Sequence, residues 1–314
     1  GTRSAGLAAG GTTGSVTAAT EEYNSNFNIG TRATWAAGGN LGTARSYLAG
    51  CGTQDAGLAF GGVMPGPTPK NETEEYNGSS WSEQNNLTTS RAYLAGCGTQ
   101  TAALGFGGNV PGSPSLTGVT EEYNGSSWSE QNDLNTVRSN LAGCGTQTAG
   151  LAFGGYITTA SNATEEYDGS SWTSSGNLNT AAYQFSGAGT QTAGLAFGGQ
   201  TPTKRQTEEY NGTAWTTVPG TLNTARSAMA GAGLQTAAIS MLGREPGPNS
   251  VATEVYDGTN WTISTNATTA RRGVGGAGTQ TAGLAFGGYT TTGVNNTEEF
   301  TGSTLAGPTA STLT

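Results

Sequence analysis

A phrase of eleven residues recurs along this 314-residue chain, and the repetition constrains the fold more than any other feature. The phrase GTQTAGLAFGG stands at 145–155, 189–199 and 278–288. Close variants make up seven units, which start near residues 1, 52, 98, 145, 189, 233 and 278. The spacing of about 45 residues is typical of a β-propeller blade, in which four strands form one sheet.

Each unit contains four segments with strand character, named A to D in order. Segment A is of the type ARSYLAG, B is AGLAFGG, C is TEEY, and D begins at a Trp. Asn-Gly or Asp-Gly follows the Tyr of segment C in five units, which predicts a tight hairpin between C and D. Helical periodicity is missing, and each of the 53 glycines would cost a helix roughly 1 kcal/mol. The chain is therefore predicted to be all-β, with a single propeller of four-stranded antiparallel blades over residues 1–314.

The number of blades depends on which segment is counted. Segments B and C occur seven times, and so does D if residues 305–313 are included. Segment A occurs only six times, beginning near Thr43, Ser90, Val137, Ala181, Ala225 and Ala270. We expect seven blades, with the missing A strand supplied by upstream residues, by a partner segment or by residues 1–5. A six-bladed ring with redundant ends is the alternative.

The order of motifs within a unit resembles the kelch repeat, in which a hydrophobic strand ends in Gly-Gly and is followed by Glu-x-Tyr and then by Trp. Gly-Gly ends segment B at 10–11, 61–62, 107–108, 154–155, 198–199 and 287–288. Kelch repeats are similar to those of galactose oxidase, but its histidine copper ligands have no counterpart in a chain without histidine. The amino-acid sequence of the repeats also resembles that of kelch-like proteins of marine bacteriophages. The resemblance implies a β-propeller and brings no cofactor with it.

The composition argues against an enzyme. Histidine, the commonest general base and metal ligand, is absent, and Ser and Thr therefore have no such base to activate them. With 12 basic and 21 acidic residues, the chain also lacks the basic clusters that nucleic-acid binding needs. No apolar run reaches the length of a membrane span. We expect no catalytic residue, no metal, no cofactor, no nucleic acid and no membrane span.

Comparison between units assigns two residue types to packing. Cys51, Cys97 and Cys144 occupy one repeat position that is Ala in other units, which indicates a small buried slot rather than a ligand cluster. The six Trp residues stand at equivalent positions and are predicted to pack between blades rather than to form a sugar-binding platform.

Charged residues also recur at fixed positions. Glu-Glu opens segment C in six units, and strand alternation places the two carboxylates on opposite faces. Arginine opens segment A in every unit but one, which has Ala182; these arginines are Arg45, Arg91, Arg138, Arg226 and Arg271. Both sets lie at the same end of their strands, which predicts a lattice of inter-strand ion pairs. The second interpretation is an arginine ring at the channel mouth that receives an acidic peptide, as in some kelch domains.

The connections divide the predicted propeller into a constant and a variable face. The A–B and C–D turns hardly change between units, whereas the B–C loops differ strongly in length and sequence. Loops on a rigid scaffold commonly carry binding residues. The variable face is therefore the predicted contact face, with the candidates Pro65, Pro67, Lys70, Tyr156, Lys204, Arg205, Arg244 and Tyr289. Neutral drift in unconstrained loops is the alternative.

These features predict a non-enzymatic structural or adhesive propeller that binds a protein or glycan partner on a virion or extracellular surface. Few Lys and Arg residues leave few trypsin-like cleavage sites, and near-identical repeats suit a rigid display surface. The alternative is a cytoplasmic kelch-type scaffold that binds a partner peptide.

Overall fold

The computed structural model describes residues 5–12, 16–24, 31–64, 66, 68–112, 115–200 and 202–303, with side chains from residue 31 onward. Two compact units are distinguished, one of which is Thr34–Gly302. The other contains a two-stranded antiparallel sheet of β1 (Ala5–Thr12) and β2 (Val16–Asn24). Among the described residues there is no helix long and apolar enough to cross a membrane.

The unit Thr34–Gly302 is a β-propeller whose blades are six four-stranded antiparallel sheets. The A strands of neighbouring blades contact one another and form the inner ring. They are β4 (Ala49–Gly52), β8 (Ala95–Thr99), β12 (Ala142–Gly145), β16 (Ser186–Thr190), β20 (Ala230–Leu234) and β24 (Gly275–Gly278). The B strands are β5 (Gly57–Phe60), β9 (Ala102–Phe106), β13 (Gly150–Phe153), β17 (Ala193–Phe197), β21 (Ala237–Met241) and β25 (Ala282–Phe286).

The two outer strands of each blade form the predicted C–D hairpin. The C strands are β6 (Thr73–Tyr76), β10 (Thr120–Tyr123), β14 (Thr164–Tyr167), β18 (Thr207–Tyr210), β22 (Thr253–Tyr256) and β26 (Thr297–Thr301). The D strands are β7 (Trp81–Gln84), β11 (Trp128–Gln131), β15 (Trp172–Ser175), β19 (Trp215–Val218), β23 (Trp261–Ile263) and β3 (Thr34–Ala37). We number the blades 1 to 6 by the order of their A strands, so that blade 1 is β4–β7 and blade 6 is β24–β26 with β3.

The ring has six blades, so the favoured prediction of seven was wrong and the six-bladed alternative is correct. Strand β3 comes from the start of the unit, yet it pairs with β26 and completes the last blade. This pairing joins the two ends of the ring and covers a sheet edge. The first copies of B and C form the β1–β2 sheet, and the predicted D segment at 305–313 lies outside the described residues. For residues outside Thr34–Gly302, inclusion in a single propeller over 1–314 stays a prediction.

Neighbouring blades pack through their aromatic residues, as the repeat comparison predicted. The rings of Trp128 in blade 2 and Phe60 in blade 1 lie 4.8 Å apart, and Trp128 Nε1 donates a hydrogen bond to Thr73 Oγ1 at 3.0 Å. The indole of every D strand makes this bond to the preceding blade. Each Trp therefore joins two blades, and the same contact gives its indole N–H a hydrogen-bond acceptor.

The small residues of strand A are required by this packing. A Cβ atom added to Gly96 would lie 2.4 Å from Phe60 Cζ in the preceding blade. At that distance the two atoms clash, and the phenyl ring of Phe60 would have to move. The B-strand phenylalanine thus fills the space that a larger A-strand side chain would need. This contact explains why a chain rich in glycine still builds a closely packed core.

The constant A–B turns also connect blades. Gln100 Nε2 donates to the backbone carbonyls of Gly57 at 3.1 Å and Tyr76 at 2.7 Å, both in the preceding blade. The glutamines that bridge to the preceding blade in this way are Gln54, Gln100, Gln147, Gln191, Gln235 and Gln280. The glutamine of the A–B turn therefore takes part in the assembly of the ring.

Candidate functional site

The five arginines that open segment A are buried. Each is 0% exposed, and its Nη2 atom forms an ion pair of 2.8–3.2 Å with the first Glu of strand C in the same blade. In blade 1, Arg45 also donates to the carbonyls of Gly61 and Glu72. Burial lowers the pKa of these guanidinium groups, to about 10 for Arg138, and the paired carboxylate opposes the shift. The ion-pair interpretation is confirmed, and an arginine ring that receives a peptide would need accessible guanidinium groups that these five residues do not offer.

The second Glu of strand C faces the next blade. Tyr123 Oη in blade 2 donates to Glu75 Oε1 in blade 1 at 3.0 Å. The same bond joins the pairs Tyr76–Glu299, Tyr167–Glu122, Tyr210–Glu166 and Tyr256–Glu209. At the boundary of blades 5 and 6 the two positions hold Val255 and Phe300, so donor and acceptor are replaced together. Burial and the neighbouring carboxylate raise the pKa of Tyr76 to about 12.

This joint replacement predicts energetic coupling between Glu75 and Tyr123. Glu75→Val leaves the Tyr123 hydroxyl without its acceptor, and Tyr123→Phe leaves the carboxylate without its donor, so each should cost about 1 kcal/mol. The double variant, which reproduces the native Val255–Phe300 pair, should cost clearly less than the sum. Urea denaturation of the four proteins measures this coupling, and additive losses to within about 0.3 kcal/mol would contradict it.

Six residues, one from each blade, form the mouth of the axial channel on the variable face. Each stands two positions after the segment-A arginine, or after Ala182 in blade 4. These residues are Tyr47, Tyr93, Asn140, Gln184, Ala228 and Gly273, with φ angles of 52°, 56°, 54°, 53°, 51° and 61°. The N–H of each donates to the carbonyl of its counterpart in the neighbouring blade at 2.6–2.9 Å, and the six bonds close into a ring. All six residues thus adopt a left-handed conformation that favours glycine, although only one of them is glycine.

The first half of segment A is therefore not a strand, in contrast to the prediction. Strand A of blade 1 begins at Ala49, because Tyr47 in the left-handed region turns the chain before it enters the sheet. The mouth residues are absent from the predicted contact residues for this reason. The sequence does show that this position changes in chemical character, among Tyr, Asn, Gln, Ala and Gly, whereas the next position is apolar in every unit.

The mouth residues surround an axial pocket of about 100 Å³. Below the mouth, the pocket is lined by a second ring of apolar side chains one residue further along, formed by Leu48, Leu94, Leu141, Phe185, Met229 and Val274. Two tyrosines stand on one side of the mouth and two amides follow in the next blades. Ala228 and Gly273 add little side chain of their own, and the Tyr47 ring packs over Gly273. The pocket therefore combines aromatic surface, amide groups and an apolar floor, as small-ligand and side-chain binding sites do.

An aromatic and cationic cluster adjoins the mouth. The rings of Tyr47 and Tyr93 lie 4.4 Å apart, and Arg272 Nε donates to Tyr47 Oη at 3.2 Å. The Arg272 guanidinium lies 4.4 Å from the centre of the Tyr289 ring and donates to Asn249 Oδ1. Burial and the neighbouring Tyr47 raise the pKa of Tyr93, which Arg272 opposes. Tyr289 was a predicted contact residue, whereas Arg272 and Asn249 were not.

A groove of about 320 Å³ continues from the mouth between the B–C loops of blades 1 and 2. Tyr93 borders both cavities, and Pro69, Val110 and Pro111 give the groove apolar walls. Asn109 also lines it, and its buried Oδ1 atom has no hydrogen-bond partner among the described residues.

The other predicted contact residues are spread over the variable face. Tyr156 is 37% exposed and packs edge-on against Tyr183 at 5.4 Å. Arg205 and Arg244 are exposed and donate to backbone carbonyls of Leu222 and Gly247.

Two predicted contact residues are lysines at one repeat position. Lys70 is partly exposed, whereas Lys204 turns back to donate to the Ala181 carbonyl. Pro65 and Pro67 lie outside the described residues.

The cysteines occupy the packing position that the repeats predicted. Cys51, Cys97 and Cys144 are buried and unpaired, and each Sγ lies 3.4–3.5 Å from a backbone carbonyl oxygen of the next blade. Burial raises the pKa of each thiol, to about 12 for Cys97. In the part of the chain that the structure describes, no three Cys, Asp or Glu side chains are arranged as metal ligands.

Comparison with known proteins adds no relationship to this geometry. No protein-family model matches the sequence, and no curated protein matches it significantly. The six-bladed propeller is consistent with a kelch-type repeat at the level of the fold. The kelch and phage resemblances stay predictions from the motifs.

Proposed function

We propose that this chain is a non-enzymatic binding scaffold that engages a protein or glycan partner at the axial mouth of its variable face. A β-propeller is consistent with such a role, because its rigid ring holds the loops and the channel residues in fixed positions. The absence of histidine from the chain supports the non-enzymatic part of the proposal.

The observation that carries the proposal is the presence of side chains at strained positions. A non-glycine residue in the left-handed region costs roughly 1–2 kcal/mol, and Gly273 shows that glycine fits this position of the ring. Four positions of the mouth nevertheless carry larger side chains, those of Tyr47, Tyr93, Asn140 and Gln184. Strain of this kind concentrates at functional sites. Tyrosine offers a large, rigid contact surface at low entropic cost, and amides offer adaptable hydrogen bonds.

We further propose that the propeller acts as an adhesive or structural component on a virion or cell surface. Twelve Lys and Arg residues among 314 leave few sites for trypsin-like proteases. A closed ring that hides its sheet edges also resists unfolding and self-association. Both properties suit exposure outside a cell.

Tyr93→Gly should weaken partner binding while leaving the propeller folded. Glycine relieves the positive φ angle at residue 93, so the loss is confined to the aromatic surface shared by the pocket and the groove. A peptide display library and a glycan array are first screened with the native protein to select a ligand. The selected ligand should bind Tyr93→Gly at least about tenfold more weakly.

The matched control is Ala228→Gly, which makes the same backbone change at an equivalent position that offers little side chain. It should bind the selected ligand as the native protein does. The proposal fails if neither screen yields a ligand, or if Tyr93→Gly binds the selected ligand with undiminished affinity.

A further inference from the structure

Blade 4 lacks the buried arginine that the other five blades share, because the position is Ala182. In blade 1 the guanidinium of Arg45 donates to the Gly61 carbonyl at 2.9 Å, the Glu72 carbonyl at 2.6 Å and the Glu74 carboxylate at 2.8 Å. The repeat fixes the equivalent acceptors in blade 4 as the carbonyls of residues 198 and 206 and the carboxylate of residue 208. All of these groups are present, but no arginine of the blade reaches them.

A cavity of about 20 Å³ lies at this place. We call it the guanidinium pocket. Its polar lining comes from Thr180, Lys204, Gln206 and Glu208, and the rest of its wall is formed by Leu178, Ala182, Phe185, Ala196, Phe197 and Gly198. Its lining thus includes the position of the missing arginine together with the groups that hold the guanidinium in the other blades. Thr180, Lys204 and Gln206 are partly exposed, so the pocket is reached from the variable face.

The buried carboxylate in this pocket forms no direct ion pair, although Lys204 lies near enough to attract it. Glu208 is 4% exposed, and it belongs to none of the ion pairs among the described residues. It accepts hydrogen bonds from neutral donors only, at the backbone of Asn179 and Thr180 and from the side chains of Asn179 and Gln206. Lys204 Nζ donates to the Ala181 carbonyl at 2.9 Å instead, and burial lowers its pKa. A buried carboxylate without a directly paired cation favours the binding of one.

We propose that the guanidinium pocket of blade 4 binds an alkylguanidinium group, the end of an arginine side chain, supplied by a ligand. A planar guanidinium donates in several directions at once and so matches one carboxylate and two carbonyls, which an ammonium group does less well. The cavity of about 20 Å³ has room for about one water molecule, so the proposal requires the side chains of Lys204 and Gln206 to leave it when the guanidinium enters. The pocket shares only Phe185 with the lining of the axial pocket and contains none of the mouth residues, so its failure would leave the proposed function standing.

The test titrates the native protein with a blocked arginine, Nα-acetyl-arginine-N-methylamide, and follows binding by NMR and calorimetry. We expect saturable binding in the millimolar range, with the corresponding blocked lysine binding at least about tenfold more weakly. Ala182→Arg should raise the unfolding temperature and remove the binding, because it restores the internal guanidinium. Lys204→Ala should strengthen the binding by removing the neighbouring cation.

Glu208→Gln is the second variant, and it should weaken binding even if Ala182→Arg fails to fold. The proposal is overturned if the native protein shows no saturable binding, if lysine binds as well as arginine, or if Glu208→Gln binds as the native protein does. A Gly-Gly-Arg-Gly-Gly peptide identifies the source of the group. Tighter binding of the peptide than of the blocked amino acid indicates a protein segment, and equal or weaker binding indicates a small molecule; either result supports the pocket.

Discussion

Replacing Phe153 with alanine should destabilise the propeller by about 3–5 kcal/mol, the range measured for buried aromatic residues. Phe153 is 0% exposed in strand β13, and its ring lies 4.8 Å from that of Trp215 and 5.6 Å from that of Phe185. Its Cζ atom also fills the space beside Gly187 of the next blade. The substitution therefore opens a cavity at a blade boundary, where stacking holds the ring together. Reversible urea denaturation measures the loss.

Ile263→Ala is the control for Phe153→Ala, because Ile263 is 65% exposed on strand β23. Its removal should change the free energy of unfolding by no more than about 0.5 kcal/mol. A loss below about 1 kcal/mol for Phe153→Ala would show that the blade boundary is not a packed core.

Removing one buried arginine should cost a similar amount for an electrostatic reason. Arg91→Ala leaves Glu121, which is 0% exposed, without the guanidinium that lies 3.0 Å from its carboxylate. Breaking a buried ion pair on one side typically costs about 3–5 kcal/mol, because the remaining charge is buried without compensation. Thermal and urea unfolding of the two proteins give the loss.

Arg244→Ala removes the same charge from an exposed position of the variable face. It should leave the free energy of unfolding within about 0.5 kcal/mol of the native value. If Arg91→Ala were equally mild, the ion pair would contribute nothing measurable to the fold. That result would remove the physical reason for the arginine's repetition in five blades.

Most of the fold could be predicted from the repeat, and the error in blade number has a structural cause. Counting segments B and C gave seven, because it included the copies that form the β1–β2 sheet. Segment A gave the correct number, since each blade needs one A strand to take its place in the inner ring. The role of Thr34–Ala37 as the D strand of blade 6 could not be predicted. Its partner β26 lies at the other end of the unit, and no local sequence pattern indicates pairing over that distance.

The candidate site could be predicted only in part. The division into a constant and a variable face follows from strand alternation, and Tyr289 lies in the cluster beside the mouth. The buried position of the arginines, by contrast, depends on which face of a blade each side chain enters. Tyr47 and Tyr93 were missed because a left-handed residue inside a strand-like segment cannot be recognised from propensity.

The most direct test of the binding face compares hydrogen exchange of the propeller with and without its selected ligand. We predict slower exchange in the peptides that contain Tyr47 and Tyr93, which form the mouth, and in the groove around residue 109. The A–B turns on the opposite face, at residues 98–102 and 145–149, should exchange at an unchanged rate. Slower exchange confined to those turns would place the partner on the constant face and contradict the proposed function.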